Sequence, residues 1–217
     1  MTEPTAIGAD DADDAIHKPP PWAPITLAAF AALVICTNVA AGFWARLVDT
    51  DPELLLLLSS RNRYLALTLA AGVPLVFYVL IGFVRIGAAF GVCHMIGRAY
   101  GDTAVGWFRK YLGVTDETIA TFNRGFGRFE WIIIPFFAGS NIVAALSGVH
   151  RTSARRLVVL LAVGIAGRLA LIWSLARMFE DQLVSFLEWL QRYQWWAVAL
   201  SIGIVVLVNL RNVRRGA

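Results

Sequence analysis

Arg168 lies near the middle of the apolar run from Leu157 to Ala176. At the centre of a membrane helix such a charge costs about 2.5 to 3.5 kcal/mol on insertion scales. Two readings follow: an anion contact for a phosphate headgroup, or a structural arginine that pairs with Glu130 or Glu53 or snorkels to the interface. Glu53 opens a short apolar patch, Leu54 to Leu58, and Arg61 and Arg63 close it. Folding that patch back on itself brings opposite charges together. Glu53 and Glu130 each stand where a short apolar segment would begin, and a helix N-terminus favours an anion there. Interfacial solvation is the plainer alternative for both. Asn141, within Gly139-Ser140-Asn141, can donate and accept in a region without water. It serves either a headgroup or the backbone groups freed by Pro135. The candidate binding set is therefore Glu53, Arg61, Arg63, Glu130, Asn141 and Arg168.

Other reactive types carry less. His94 has no second ligand at helical spacing and reads as a buried or interfacial histidine. His150 belongs to a basic turn that meets headgroups. Cys36 and Cys93 sit inside apolar stretches without CxxC spacing, so they read as buried thiols and not as a disulfide or metal pair. There is no GxSxG, P-loop, HExxH or GxGxxG pattern, and Ser, His and Asp are too sparse in the apolar runs for a triad. No enzyme activity, metal or cofactor is expected.

The elements that must position these residues are membrane helices. The 217 residues are 58% hydrophobic and 16% charged, with a mean hydropathy of +0.65, well outside soluble averages. The net charge of +4 is spread between apolar runs and forms no stripe with interleaved aromatics, so nucleic acid is not an expected partner. Residues 1–21, rich in Asp and ending in Pro19-Pro20-Pro21, read as a disordered acidic tail and lack the pattern of a cleaved signal. Residues 22–210 form the membrane domain, and 211–217 a basic tail. Full spans are expected at Ile25–Trp44, Leu65–Val84 with a kink near Pro74, Leu157–Ala176 and Trp195–Leu210. Ile86–Gly97 either continues the second span or breaks near Gly87. Arg98 to Arg128 suits an amphipathic surface helix, and Glu180–Arg192 a polar connection. Leu54–Leu58 is too short to cross, and Ile132–Val149 is interrupted by Pro135, Gly139, Ser140, Asn141 and Gly148. Both read as re-entrant hairpins. The basic residues Arg98, Arg109, Lys110, Arg124, Arg128, Arg151, Arg155, Arg156, Arg211, Arg214 and Arg215 place both termini in the cytoplasm by the positive-inside rule.

Each half thus holds a charged hinge, a broken hairpin, a basic turn and a long span, Asp51–Val84 and Glu130–Ala176, entered from opposite faces. The expected fold class is all-α: a polytopic membrane protein with two inverted repeats, each a re-entrant helical hairpin plus a long transmembrane helix. An ordinary six-span bundle with two weakly hydrophobic helices would give a similar profile. The stretch from Gly148 through the basic turn Arg151-Thr152-Ser153-Ala154-Arg155-Arg156, followed by Gly164 and Trp173, resembles the segment after the second hairpin in DedA proteins, the SNARE-associated or VTT-domain superfamily. Gly97-Arg98-Ala99-Tyr100-Gly101 is similar to that family's glycine-arginine element. The matches touch most of residues 50–176. The chain departs from the family where an arginine commonly precedes the hairpin proline, since the comparable ground here is Ser140-Asn141-Ile142-Val143-Ala144. It departs again where an acidic residue often precedes the glycine-arginine element, since Phe90, Gly91 and His94 stand there. The resemblance implies a multi-pass protein of a bacterial cell membrane that moves or senses lipids, with phosphate-bearing lipids as partners and homo-oligomerisation left open. A membrane scaffold or envelope-homeostasis factor is the alternative, and a lipid-modifying enzyme ranks third.

Overall fold

The computed structural model describes residues 20–101, 103, 126 and 129–216, and the regular elements among them are helices. The first helix, α1 (Ala23–Thr50), carries a proline in its first turn, where a missing N–H costs nothing. It ends because Asp51 precedes Pro52, which disfavours the helical conformation for the residue before it; Asp51 has φ −146° and ψ 72°. Pro52 then opens α2 (Pro52–Leu58). The chain is extended at Ser59 and Arg61 before α3 (Asn62–Ala70) begins.

α3 stops at Ala71-Gly72. Gly72 has φ +87°, a left-handed conformation that only glycine adopts freely, and Val73 N–H returns to Thr68 O at 3.1 Å. Pro74 precedes α4 (Leu75–Tyr100). The span expected at Leu65–Val84 is therefore corrected. Gly72 and Pro74 together end one helix and start another instead of kinking a single one, and the long helix continues without a break through Gly87 to Tyr100.

Helical residues 129–136 (α5) lead into a turn at 137–139, with Gly139 at φ +98°. Ser140 then caps α6 (Asn141–Val149), its hydroxyl accepting from Val143 N–H at 3.5 Å. A tight connection brings the chain to α7 (Ala154–Met178). Last is α8 (Glu180–Gly216), bent where Tyr193 has φ −118° and ψ 19°. Glu180–Arg192, expected as a connection, is helical, and the basic tail continues the same helix to Gly216. The acidic tail up to residue 19 and the surface helix expected between Arg98 and Arg128 lie, apart from residues 98–101, 103 and 126, outside the described residues.

Among the described residues three helices are long and apolar enough to cross a membrane: Ala23–Thr50, Leu75–Tyr100 and Ala154–Met178. At 1.5 Å per residue each is on the order of 40 Å long, enough for the hydrocarbon core with its interfaces. The fourth expected span appears as a shorter apolar helical stretch, Val198–Asn209. Large apolar side chains cover the outside, among them Val76, Leu80, Val158, Leu171, Leu200 and Leu207. That surface suits hydrocarbon rather than water.

The most extensive helix contact joins α4 to α6. Gly97 lies against the Ala145 backbone and Gly148 against that of His94, so a Cβ at either position would strike main chain. Small residues permit this approach where lipid supplies no hydrophobic drive between helices. Gly164 does the same for α7 against Pro135. One buried cluster centres on Ile86, Phe90, Ile134, Ala144, Ile165 and Leu169. A second joins α1, α3 and α8 through Ala45, Tyr64, Leu190 and Val198.

Candidate functional site

The two interruptions lie at one cavity. Ser59, Ser60 and Arg61 from the first break and Gly139 and Asn141 from the second line it together, with Thr37 of α1, Arg85 and Ala89 of α4, and Arg168 of α7. Its volume is about 180 Å³.

Three arginines line it, the exposed Arg61 and two that bond the chain around the breaks. Arg85 is 7% exposed, and its Nε donates to Leu57 O at 2.9 Å while Nη2 donates to Leu58 O at 2.9 Å. Longer contacts of 3.4 Å run from Nη2 to Leu33 O and Thr37 Oγ1. Arg168 donates from Nε and Nη2 to Asn62 Oδ1, at 3.0 and 2.6 Å, and from Nη1 to Ala138 O at 2.5 Å. Arg85 thus sits at the C-terminal carbonyls of α2, where a cation is favoured by the dipole, and Arg168 at one carbonyl of the turn that follows α5. The separations are alike, 27 residues from Leu58 to Arg85 and 30 from Ala138 to Arg168.

Carbonyls and an amide satisfy geometry without cancelling charge. Among the described residues no carboxylate pairs with Arg85 or Arg168; the ion pairs there are Arg156–Glu130 and Arg177–Glu180. A guanidinium has five N–H groups. Among the described residues these bonds use neither N–H of Nη1 on Arg85 and only one N–H of each Nη on Arg168. Two cationic groups without a counter-charge in a low-dielectric surround favour an anion.

Comparison of the chain with protein-family models, curated proteins and solved structures finds no match.

The candidate residues divide. Arg168, Arg61 and Asn141 meet at the cavity. Glu53 is exposed in the first turn of α2 and does not line it. Arg63 turns to its neighbour, with its guanidinium 4.7 Å from the Tyr64 ring centroid and Nη2 donating to Tyr64 Oη at 2.9 Å. Glu130 is 8% exposed and ion-pairs with Arg156, while Thr152 Oγ1 donates to its Oε2 at 3.1 Å. It ties the start of α5 to the basic turn. Neither acidic residue is the partner of Arg168.

Sequence reasoning missed Arg85 and Asn62. Arg85 directly follows the span expected at Leu65–Val84, yet its signal is the same as that of Arg168: one charge with apolar runs of comparable length on both sides. Asn62 gave no signal beyond its place after the break. His94 is buried and bonds Ser147, with Nδ1 and Oγ 2.8 Å apart. Because Ser147 donates its hydroxyl to Ala144 O at 2.7 Å, Nδ1 is the donor. This pair knits α4 to α6, remote from the cavity lining. His150 stacks on Phe126 with centroids 5.1 Å apart. Cys93 is buried, Cys36 is half-buried, and both are free thiols.

Proposed function

We propose that this chain is a DedA-like multi-pass protein of a bacterial cell membrane that moves a phosphate-bearing lipid headgroup, of a phospholipid or a polyprenyl phosphate, between leaflets. In this reading the segments around Ser59-Ser60 and Gly139-Ser140 are re-entrant hairpins of two inverted repeats, with both termini cytoplasmic. The headgroup passes through the cavity between them. The observation that carries the reading is the pair of guanidiniums, one from the long helix of each half, at a cavity where no carboxylate among the described residues neutralises them. The matched placement of Arg85 and Arg168 against the cut ends of α2 and α5 supports the two-fold arrangement. Broken helices that face a site in the bilayer are a recurring device of secondary transporters. Local rocking of one half against the other would alternate access.

A reconstituted vesicle assay that follows labelled phospholipid or polyprenyl phosphate across leaflets tests this. Wild type is expected to speed movement above protein-free vesicles, and Arg168→Ala to remove at least tenfold of that rate. Equal rates with and without protein would sink the transport reading. A non-transporting scaffold is the second reading. It is favoured by the bonds from Arg168 to both halves, Asn62 in one and Ala138 in the other, which act as a staple. For a scaffold, Arg168→Ala lowers thermal stability and no lipid moves in either protein.

A further inference from the structure

The polar cavity has an apolar annex. A groove of about 740 Å³ runs beside it between the α5 turn and α7, lined by Ile132, Phe136, Val163, Gly167 and Leu171 and sharing Gly139 and Arg168 with the cavity. Its volume falls in the roughly 300 to 1,000 Å³ range of well-formed ligand sites. Phe136 is 78% exposed and Leu171 60%, so the walls open sideways towards whatever surrounds the helices, which for a spanning helix is hydrocarbon.

We infer that this groove seats one hydrocarbon chain of a membrane lipid whose phosphate lies at Arg168. The inference rests on the proposed reading and adds to it a binding site for the apolar half of the substrate. Three observations meet here. Arg168 belongs to both spaces, so a ligand held at its guanidinium is already at the mouth of the groove. The groove lining is aromatic and aliphatic apart from the residues nearest the arginine, Asn62 and Ser140. A free phosphate would leave this surface unused, whereas an amphiphile matches both parts. Finally, α7 gives up a side chain where it faces the groove. Nothing lies within 4 Å of a Cβ built on Gly167, so helix packing does not require glycine there, in contrast to Gly164 one turn earlier, whose Cβ would strike Pro135. A glycine in a helix interior costs roughly 1 kcal/mol relative to alanine, and an open groove floor is what this one provides.

The experiment uses the full chain in vesicles of a phosphate-free galactolipid. It is doped either with a long-chain alkyl phosphate bearing a photoactivatable group midway along the chain, or with the matching alcohol. After illumination, labelled peptides are mapped by mass spectrometry. The phosphate probe is expected to label residues 132–139 and 163–171 at least fivefold more than the alcohol. Gly167→Trp or Gly167→Leu should reduce that labelling at least fivefold. Gly203→Trp, equally free of neighbours but on α8, should leave it unchanged. Equal labelling by the alcohol would mean that ordinary annular lipid occupies the groove, and the inference falls. It falls likewise if both Gly167 variants, eluting as the folded wild type does, label normally. Groove labelling without translocation refutes transport and leaves the chain site standing; translocation without groove labelling does the reverse.

Discussion

Arg85 and Arg168 do the same structural task at the two breaks, yet they differ in surroundings. Arg85 is almost wholly buried, and its close bonds are to backbone carbonyls. Arg168 is partly buried, spends two of its three bonds on one side-chain amide, and borders an open groove. A cation bound to main chain cannot leave without exposing carbonyls that nothing else satisfies. A cation held by an asparagine can exchange that partner for an anion at small cost. In the proposed reading the first break is therefore the fixed side of the cavity and the second the side that handles ligand.

The largest expected effect belongs to the fixed side. Arg85→Ala strips the acceptors Leu57 O and Leu58 O of their donor, and each unsatisfied buried carbonyl costs about 1 to 3 kcal/mol. Thermal unfolding in detergent should show a loss of about 3 kcal/mol or failure to fold. A variant as stable as wild type would erase the distinction between the two arginines. Arg168→Ala should cost about 1 kcal/mol of stability but at least tenfold in lipid translocation, about 1.4 kcal/mol in rate terms. Stability and transport falling together would make it a second Arg85. Asn62→Ala frees two N–H groups of Arg168 while leaving its charge, so stability should drop by about 1 kcal/mol and headgroup affinity should rise or hold. Loss of binding would show that Asn62 positions the guanidinium for ligand. Smallest of all, Glu130→Gln should lower the unfolding free energy slightly, by less than about 1 kcal/mol, because its partner Arg156 is largely exposed. Translocation should not change.

Much of this was legible in the chain. Composition gives membrane helices; the short charge-bounded patch Leu54–Leu58 gives the first break, and Pro135 with Gly139 the second. The charge within Leu157–Ala176 gives Arg168. What was missed has physical causes. A proline inside an apolar run suggests a kink, but a left-handed glycine two residues before it, Gly72 before Pro74, ends the helix outright, and that boundary carries Arg85 from an interface to mid-helix. The acidic residues were offered as partners for Arg168 because sequence shows charges and not distances. Glu130 instead meets Arg156 across the turn that joins α6 to α7. Backbone carbonyls, which hold Arg85 and take one of the three bonds of Arg168, leave no mark in residue types.

Direct titration decides the central point. A soluble short-chain alkyl phosphate is titrated into the detergent-solubilised full chain and its affinity compared with that for Arg168→Ala. The two-arginine account predicts saturable binding by wild type that weakens at least tenfold in the variant. Binding of equal strength in both, or none in wild type, would contradict it.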